Sequence, residues 1–438
     1  MKAKPLALGL AGLVAGGLLA WLLLPARLPN HVKAAERNSF DAVTGRLDSG
    51  GEVYAYLSTE RVIRTVSDLI TQVLAVPAPA GAARAADTQK VMAFLQRLGL
   101  SEISGAGISM VSLAGGLSRT KMVLHHYPDQ NRGVIWRIVG DRPRLLDELK
   151  LLPADTVLAA FGEYHLEPLW QFLKKEIAAA GGPAAAGVNT LEPLLAMGGI
   201  RLDQLLKSLT GPIGYLVTLN AQKTVTLPAG TTPLTIPQPA LAIVLAVRDA
   251  SLFDLIKTKS LPLARYDEQR GRRTLHFTHF KLPIPFDPLI VQTDGYLIAA
   301  STSALAETML RAREKADGLV ATGEFAELAR HVPEVGNGFH YLGSRLWKVY
   351  AGILDRIVSE KAPSAGDSAA LKAVFERIPQ DIRVFGVIRC DREGAVYTAC
   401  CNLKPEMAIA LPAAVLAGVA AAKSRPEPPA TPSTTTEN

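Results

Sequence analysis

The sequence has few cysteines, no block of like charge, and none of the common catalytic or nucleotide-binding motifs. Three cysteines in 438 residues exclude a disulfide scaffold. The net charge of +7 is spread along the chain without a Lys/Arg stripe carrying interleaved aromatics, which argues against nucleic-acid binding. The patterns H-E-x-x-H, G-x-S-x-G and G-x-x-x-x-G-K-[ST] do not occur. The sequence therefore identifies no catalytic residue, no cofactor site and no metal site.

A long uncharged stretch near the N-terminus is the strongest local signal. Nineteen uncharged residues run from Leu6 to Leu24. As a helix they would span about 28 Å, close to the roughly 30 Å hydrocarbon core of a bilayer. The following PARLPNHVK offers no convincing cleavage site. We therefore predict an uncleaved signal anchor in residues 1–30, with a cleaved signal peptide as the alternative.

The flanks of this segment bear on its orientation and on pairing between copies. Positively charged residues are almost equally numerous on its two sides, so the positive-inside rule does not decide the orientation. We expect the N-terminus inside and the body in the periplasm of a bacterium, because a short cytoplasmic tail before a large exported domain is the usual arrangement of a signal anchor.

Gly12 and Gly16 match the GxxxG pattern of paired membrane helices. Because small residues are common in such segments, a homodimer is only an alternative to a single anchor contacting lipid.

Four segments share one pattern, an extended apolar stretch that runs directly into an amphipathic helix. They are residues 51–74, 152–175, 240–257 and 336–358. In each, period-two alternation gives way to apolar residues at helical spacing, which is typical of a helix packed against a sheet. The recurrence predicts repeated strand–helix units.

Hairpin signals lie between these units. Asp294-Gly295 separates two apolar strands, a second turn is predicted near Gly271, and a third around Asn220-Ala221. Hairpins between strand–helix units predict an α+β fold with antiparallel sheets and packed helices, and argue against a doubly wound parallel sheet.

The three cysteines fall in a further predicted hairpin, residues 381–403. If Cys390 pairs with Ala395, Cys401 lies opposite Val384, roughly 20 Å from Cys390 along the ladder. No disulfide can close within such a hairpin. We therefore expect small buried side chains and not a redox or metal site.

Composition divides the chain into four parts. Stretches rich in Ala, Gly and Pro predict surface loops at 76–87, 178–187 and 227–239. The last of these is the predicted boundary between two related halves, although one continuous fold is an alternative. The parts are an anchor at 1–30, a first half at 40–226, a second half at 240–404, and an apolar helix with a disordered Pro/Thr-rich tail at 405–438.

The order of these elements resembles a family of uncharacterised bacterial envelope proteins that pair one N-terminal membrane segment with a repeated α+β ectodomain. The likeness covers roughly residues 50–360. The short patterns that carry it are Leu152–Thr156, Leu209–Pro212, Val247–Asp249, Asp294–Ile298, Ser301–Ser303, Gly323–Phe325 and Gly338–Tyr341. The resemblance implies export and a repeated fold, and it implies no activity.

Titratable residues give weak candidates for chemistry. Glu163, Tyr164 and His165 form the best acid/base cluster, at a predicted corner between a strand and a helix. His125-His126, and also His276 and His279, are expected to point to opposite faces of strands, which disfavours a shared metal. Structural roles are favoured for all of them.

The densest basic stretch is a candidate contact for an anionic partner. It comprises Arg265, Arg270, Arg272, Arg273 and Lys281. The simpler interpretation is a charged hairpin that keeps an exposed sheet edge from pairing with another chain.

These observations favour a non-enzymatic, membrane-anchored envelope protein of the bacterial inner membrane. It would bind or scaffold an envelope protein or a lipid on the periplasmic side. The alternatives are a tethered carrier of an apolar ligand and an unrecognised hydrolase. Solid packing with one exposed apolar or basic face would favour the first hypothesis, and an apolar tunnel the second.

Overall fold

A computed structural model describes residues 38–59, 93–130, 132–227, 233–260, 263–269, 271–277, 285–361 and 379–407. The chain divides into two units between Asn38 and Ser39. Every helix and strand below belongs to the second unit.

Nine helices and fifteen strands are named within the described residues. The helices are α1 Phe40–Thr44, α2 Val134–Ile138, α3 Leu166–Ala180, α4 Gly182–Met197, α5 Leu202–Ser208, α6 Ser251–Ser260, α7 Ser303–Lys315, α8 Gly323–Ala329 and α9 Ser344–Lys361. The strands are β1 Val53–Ser58, β2 Ile103–Ser112, β3 Ser118–His126, β4 Arg144–Leu145, β5 Thr156–Glu163, β6 Leu209–Leu227, β7 Leu234–Val247, β8 Ala264–Gln269, β9 Arg272–Phe277, β10 Leu289–Thr293, β11 Tyr296–Ala300, β12 Val335–Gly336, β13 Gly338–Leu342, β14 Val384–Asp391 and β15 Gly394–Cys401.

Thirteen of the strands form one antiparallel sheet. Their order is β1-β2-β3-β15-β14-β13-β5-β6-β7-β11-β10-β9-β8, and β12 pairs with β4 in a separate two-stranded sheet. Strand β13, from the C-terminal part of the chain, lies between β14 and β5 and so joins strands distant in sequence. The outermost strands are β1 and β8.

The main core lies on one face of the sheet, which we call the core face. Helices α7 and α8 and the 3-10 turns Asp147–Leu151 and Leu319–Ala321 cover it. The core includes Phe161, Phe339 and Phe385, from β5, β13 and β14 respectively, and all three are buried. The rings of Phe161 and Phe339 stack with centroids 5.1 Å apart. Phe325 of α8 packs on Phe385 with ring centroids 4.7 Å apart, so aromatic contacts join the middle of the sheet to its helical layer.

The opposite face is covered at one end by α6. Phe253 of this helix is fully buried against Leu275 and Leu297. Leu297 belongs to this second cluster, whereas its neighbour Ile298 belongs to the main core. Since successive residues of a strand point to opposite faces, the two clusters lie on opposite sides of the sheet. Helix α3 instead packs against other helices, namely α2, α4 and α5.

Asn337, just before β13, ties the centre of the sheet together. Its backbone N–H donates to the Ile388 carbonyl at 2.8 Å, and its carbonyl accepts from the Glu163 N–H at 2.7 Å. The side-chain amide donates to the Arg142 carbonyl at 3.2 Å and to Glu163 Oε2 at 3.1 Å. Its Oδ1 accepts from the Cys390 N–H at 2.7 Å. One residue, 2% exposed, therefore joins β5, β14 and the loop before β4.

The fold class and several local elements expected from the sequence are confirmed. The fold is α+β with a large antiparallel sheet. Strands β5, β7 and β13 run into helices α3, α6 and α9 as predicted, and β1 is present, while most of the following helix lies outside the described residues. The Asp294-Gly295 turn joins β10 to β11, and Gly271 lies between β8 and β9.

The cysteine hairpin has the predicted register. Cys390 pairs with Ala395, and Cys401 pairs with Val384. All three thiols are free.

Some local predictions are wrong. Residues 178–187 are not a loop, because α3 runs to Ala180 and α4 begins at Gly182 with proline in its first turn, a favourable position. The turn predicted at Asn220-Ala221 is a bulge inside the continuous strand β6, whose register with β7 shifts between Asn220 and Thr224. The Asn220 side chain accepts from the Gln222 N–H, so a turn-like local bond forms without reversing the chain.

Several predictions concern residues that are not described. The predicted span Leu6–Leu24, with Gly12 and Gly16, and nearly all of the terminal segment 405–438 lie outside the described ranges. None of the described helices is long and apolar enough to cross a membrane. The loop predicted at 227–239 is wrong for 234–239, which belong to β7 and pair with β6, while residues 228–232 lie outside the described ranges. The division into halves stays a prediction.

Replacing Asn337 with alanine tests its role in holding the strands together. The change leaves the Cys390 N–H without its buried acceptor and removes two donors, so we expect the free energy of unfolding to fall by about 3 kcal/mol. Urea denaturation of the full chain in mild detergent measures the effect. The matched variant Asn220→Ala loses only an exposed local bond and should change stability by less than about 0.5 kcal/mol. Equal effects of the two substitutions would contradict this role.

Candidate functional site

The face opposite the main core carries two uncharged rows that cross nine strands. Neighbouring strands place their paired residues side by side, so the register defines each row. One row is Ile243, Tyr215, Ala160, His340, Gly386, Ala399, Thr120, Met110 and Val53. The other is Leu245, Ile213, Gly162, Gly338, Ile388, Tyr397, Met122, Ile108 and Ala55. Neither row contains Asp, Glu, Lys or Arg.

A shallow groove of about 620 Å³ lies on this face, between β7 and β15. We call it the open groove. Its exposed apolar lining comes from Tyr164, Tyr215, Leu241, Ile243 and Ile388, and half-buried Tyr397 adjoins them. Tyr215 is 43% exposed, Leu241 44% and Ile243 46%. Side chains of this kind, adjacent to one another and uncharged, form a contiguous apolar patch of the sort that marks interaction sites.

Two glycines allow aromatic rings to lie flat on the groove floor. A Cβ atom on Gly162 would come within 2.6 Å of the Tyr164 ring, and one on Gly386 within 2.4 Å of His340 and 2.8 Å of Tyr397. Real Cβ atoms do not approach other atoms so closely. Any side chain at these positions would displace the rings, so glycine here determines the shape of the floor.

His340 and Tyr397 form the polar pair of the groove. The Tyr397 hydroxyl lies 3.1 Å from His340 Nε2, and the two rings stack with centroids 5.5 Å apart. Burial lowers the pKa of His340 below its usual value and raises the pKa of Tyr397 to about 12. Both side chains are therefore neutral at neutral pH, and they satisfy each other by hydrogen bonding.

The groove was not predicted from the sequence, because its lining comes from strands that are distant in the chain. A usable signal was present. Residues 240–247 and 384–388 are apolar at successive positions, although strands with one solvated face alternate between apolar and polar residues. A strand that is apolar on both faces is expected to contact another apolar surface on each face.

The predicted acid/base cluster is divided by the structure. Glu163 accepts from Asn337, lies 4.0 Å from Arg144 Nε, and rests against Gly140. Tyr164 turns into the open groove, whereas His165 is exposed at the start of α3. The three side chains therefore lie in different surroundings. Glu163 has a structural role, because it accepts one of the hydrogen bonds of Asn337.

A serine–histidine pair that the sequence did not reveal lies in the β2–β3 hairpin. Ser104 Oγ is 2.6 Å from His125 Nδ1, a separation suited to a nucleophile and its base. Both residues are almost fully buried, at 2% and 3% exposure. Burial, with Arg46 adding a smaller repulsion, lowers the pKa of His125. Ser104 occupies the bulge between Ile103 and Gly105, so the buried pair stabilises an irregular piece of backbone.

The structure also places the other histidines and the cysteines that the sequence singled out. His126, beside His125 on β3, contacts the Trp136 ring and not Ser104. His276 lies on β9, while His279 is outside the described residues. Cys390 and Cys400 are buried, as expected of small core side chains, and Cys401 is half-buried.

The basic stretch is largely engaged within the molecule. Arg272 forms an ion pair with Glu314, and Arg273 forms one with Asp254 while lying 4.8 Å from the Phe253 ring. Arg265 is exposed on β8, the outermost strand of the sheet. Arg270 and Lys281 lie outside the described residues. This placement fits the charged-edge interpretation, and contact with an anionic partner stays a prediction.

In the part of the chain that the structure describes, no group of three or more His, Cys, Asp or Glu residues could hold a metal ion. No protein-family model, curated protein or solved structure matches this chain. The resemblance to bacterial envelope proteins stays a prediction.

Alkylation of the cysteines tests whether any described thiol is poised as a nucleophile. Burial, with nearby Asp391 and Glu163 adding smaller effects, raises the pKa of Cys390 to about 12. Burial, followed by Cys401, raises the pKa of Cys400 to about 11. At pH 8 we expect iodoacetamide to modify these two thiols at least about 100-fold more slowly in the folded chain than in guanidinium.

Mass spectrometry of peptides containing the three cysteines measures these rates, and half-buried Cys401 serves as the internal reference. If Cys390 in the folded protein were modified as fast as in the unfolded chain, its assignment as an unreactive buried thiol would be wrong.

Proposed function

We propose that this chain is a non-enzymatic binding module of a bacterial cell envelope, and that the open groove binds an apolar α-helix of a partner protein. In this proposal residues 6–24 anchor the chain in the inner membrane and the body faces the periplasm. The body would consist of repeated strand–helix units in two related halves, 40–226 and 240–404. The single observation that carries the proposal is the uncharged, half-exposed lining of the open groove.

The free energy available at this surface supports binding. Burial of apolar surface contributes roughly 25 cal/mol per Å². Tyr215, Leu241 and Ile243 are each more than two-fifths exposed and adjacent through the register of β6 and β7. Because the rows contain no charged side chain, a partner need not desolvate an ion in order to cover them.

The breadth of the groove favours a helix over a small ligand. From β7 to β15 the sheet crosses five strand intervals, roughly 24 Å at about 4.8 Å each. An α-helix with its side chains is about 10–12 Å wide and fits this breadth. Pockets for small ligands enclose about 70–90% of the ligand surface, whereas this groove is shallow and open. Helix-in-groove recognition therefore suits the geometry better than the carrier alternative.

The length and composition of the N-terminal segment support the membrane anchor. It is uncharged for nineteen residues. The resemblance to envelope proteins and the repeated strand-to-helix transitions point the same way. Gly12 and Gly16 match the GxxxG pattern of paired membrane helices, so pairing of two copies within the membrane is part of the proposal.

Cross-linking from the groove tests the binding surface. We expect a photo-cross-linking amino acid at Tyr215, in the full chain in native membranes, to capture one partner through an apolar helical segment. The substitution Ile243→Asp should reduce the yield at least fivefold, because a buried carboxylate at the contact is unfavourable. Leu263→Asp, at a position that is 67% exposed outside the groove, should leave the yield unchanged.

The cross-linked residues are mapped by mass spectrometry. A cross-link to lipid would favour the carrier alternative. Absence of any product that Ile243→Asp removes would overturn the proposal.

Deleting residues 1–30 tests the anchor separately. The full chain should stay in the membrane pellet after alkaline carbonate extraction, and the shortened chain should move to the supernatant, because the apolar segment supplies the attachment. The double variant Gly12→Leu, Gly16→Leu keeps an apolar span and should remain in the pellet. Release of the full chain by carbonate would contradict an anchor.

A further inference from the structure

A second cavity, of about 320 Å³, lies where β3, the β14–β15 turn, the segment after α2 and the start of α3 meet. We call it the end pocket. The side chains that matter are those of His126, Trp136, Arg137, Asp141, His165 and Arg392.

Backbone hydrogen bonds hold the walls of the end pocket in place. The His126 N–H donates to the Glu393 carbonyl at 3.0 Å, and the His165 N–H donates to the Ile138 carbonyl at 2.6 Å. The buried Asn337 amide holds the Arg142 carbonyl. These bonds fix the backbone on either side of the bend that carries Asp141 and of the β14–β15 turn that carries Arg392.

Charges of both signs line this pocket without neutralising one another. Among the described residues, Arg137, Arg392 and Asp141 make no ion pair and no side-chain hydrogen bond. Asp391, in the same lining, behaves differently, because it pairs with Arg46 at 3.3 Å. The pocket thus offers two unpaired guanidinium groups and one unpaired carboxylate to a ligand.

His126 and Trp136 supply an independent indication of a ligand. The His126 side chain is 1% exposed, and its ring packs on Trp136 with centroids 4.2 Å apart. Its Nδ1 lies 3.0 Å from the Tyr127 carbonyl oxygen, which can only accept, so Nδ1 carries the proton and Nε2 is left as an acceptor in a residue that lines the pocket. The Trp136 Nε1–H, in the same lining, is buried and has no hydrogen-bond partner in the described part of the chain.

We propose that the end pocket binds a small zwitterion of the phosphoethanolamine class, with one phosphate and one ammonium group. Arg137 and Arg392 suit the phosphate, because guanidinium groups form strong charge-assisted hydrogen bonds with it. Asp141 and His126 Nε2 accept from the ammonium group. The same chemistry occurs in a free metabolite and in a phospholipid headgroup. This site is separate from the open groove and does not depend on the function proposed for the groove.

Calorimetric titration of the full chain in an uncharged maltoside detergent tests the site, with phosphoethanolamine as the probe. We expect saturable binding that Arg137→Gln and Arg392→Gln each weaken about tenfold or more, as the loss of a charge-assisted bond implies. Asp141→Asn should weaken phosphoethanolamine but not inorganic phosphate. The control Arg389→Gln removes the same charge from a neighbouring exposed position and should have no effect.

Vesicles distinguish the two sources of the ligand. Competition by phosphatidylethanolamine vesicles, but not by phosphatidylcholine vesicles, would identify a headgroup, and absence of competition would identify a free metabolite. Either result requires the titration to saturate. No saturation by 10 mM probe, equal affinity for phosphate alone, or indifference to both arginine substitutions would each overturn the proposal. The substituted arginines are exposed, so an unchanged unfolding midpoint verifies that the variants fold.

Discussion

The hydrogen bonds of Asn337 are the constraint on which the centre of this molecule depends. The short strand β13 lies between β5 and β14, which are more than 200 residues apart in the chain. Closing a connection of that length has an entropic cost that only dense local bonding offsets. Asn337 provides that bonding, because its backbone and side chain engage Glu163, Ile388, Cys390 and Arg142. Both candidate sites lie next to the strands that it joins.

The continuous sheet gives its two faces different environments. The core face is covered by α7, α8 and short 3-10 turns, and its aromatic cluster is fully buried. On the opposite face, within the described residues, α6 covers the strands near β8, and the rows across β7, β6, β5, β13 and β14 are uncharged. Apolar side chains on such a face are stabilised by contact with another apolar surface, so the geometry favours a binding role.

Polar groups are segregated between the two sites. In the open groove His340 and Tyr397 bond to each other, and burial keeps both neutral. In the end pocket, by contrast, Arg137, Arg392 and Asp141 lack partners among the described residues. A surface without charge suits an apolar segment, whereas unpaired charges of both signs suit a small zwitterion. The two sites therefore differ in the chemistry that they recognise.

Much of the local structure could be predicted from the sequence, because local physics decides it. The Asp294-Gly295 turn, the register of Cys390 with Ala395 and the strand-to-helix transitions depend on φ preferences, alternation and helical spacing over a few residues. The errors were also local. Asn220 formed a turn-like bond inside a strand, and glycine and proline at 181–183 marked a junction between helices and not a loop.

The sequence by itself determined most of the strand-to-helix transitions and hairpin turns and their order, since each depends on neighbours along the chain. Only the tertiary structure decided which strands became adjacent, and therefore which side chains share a surface. Tyr215, Ala160 and His340 form one row because strands distant in the chain pair with each other. Arg137 and Arg392, which are more than 250 residues apart in the sequence, line the same pocket. The physical reason is that strand order depends on long-range pairing and on the burial of a shared core, neither of which any short segment encodes.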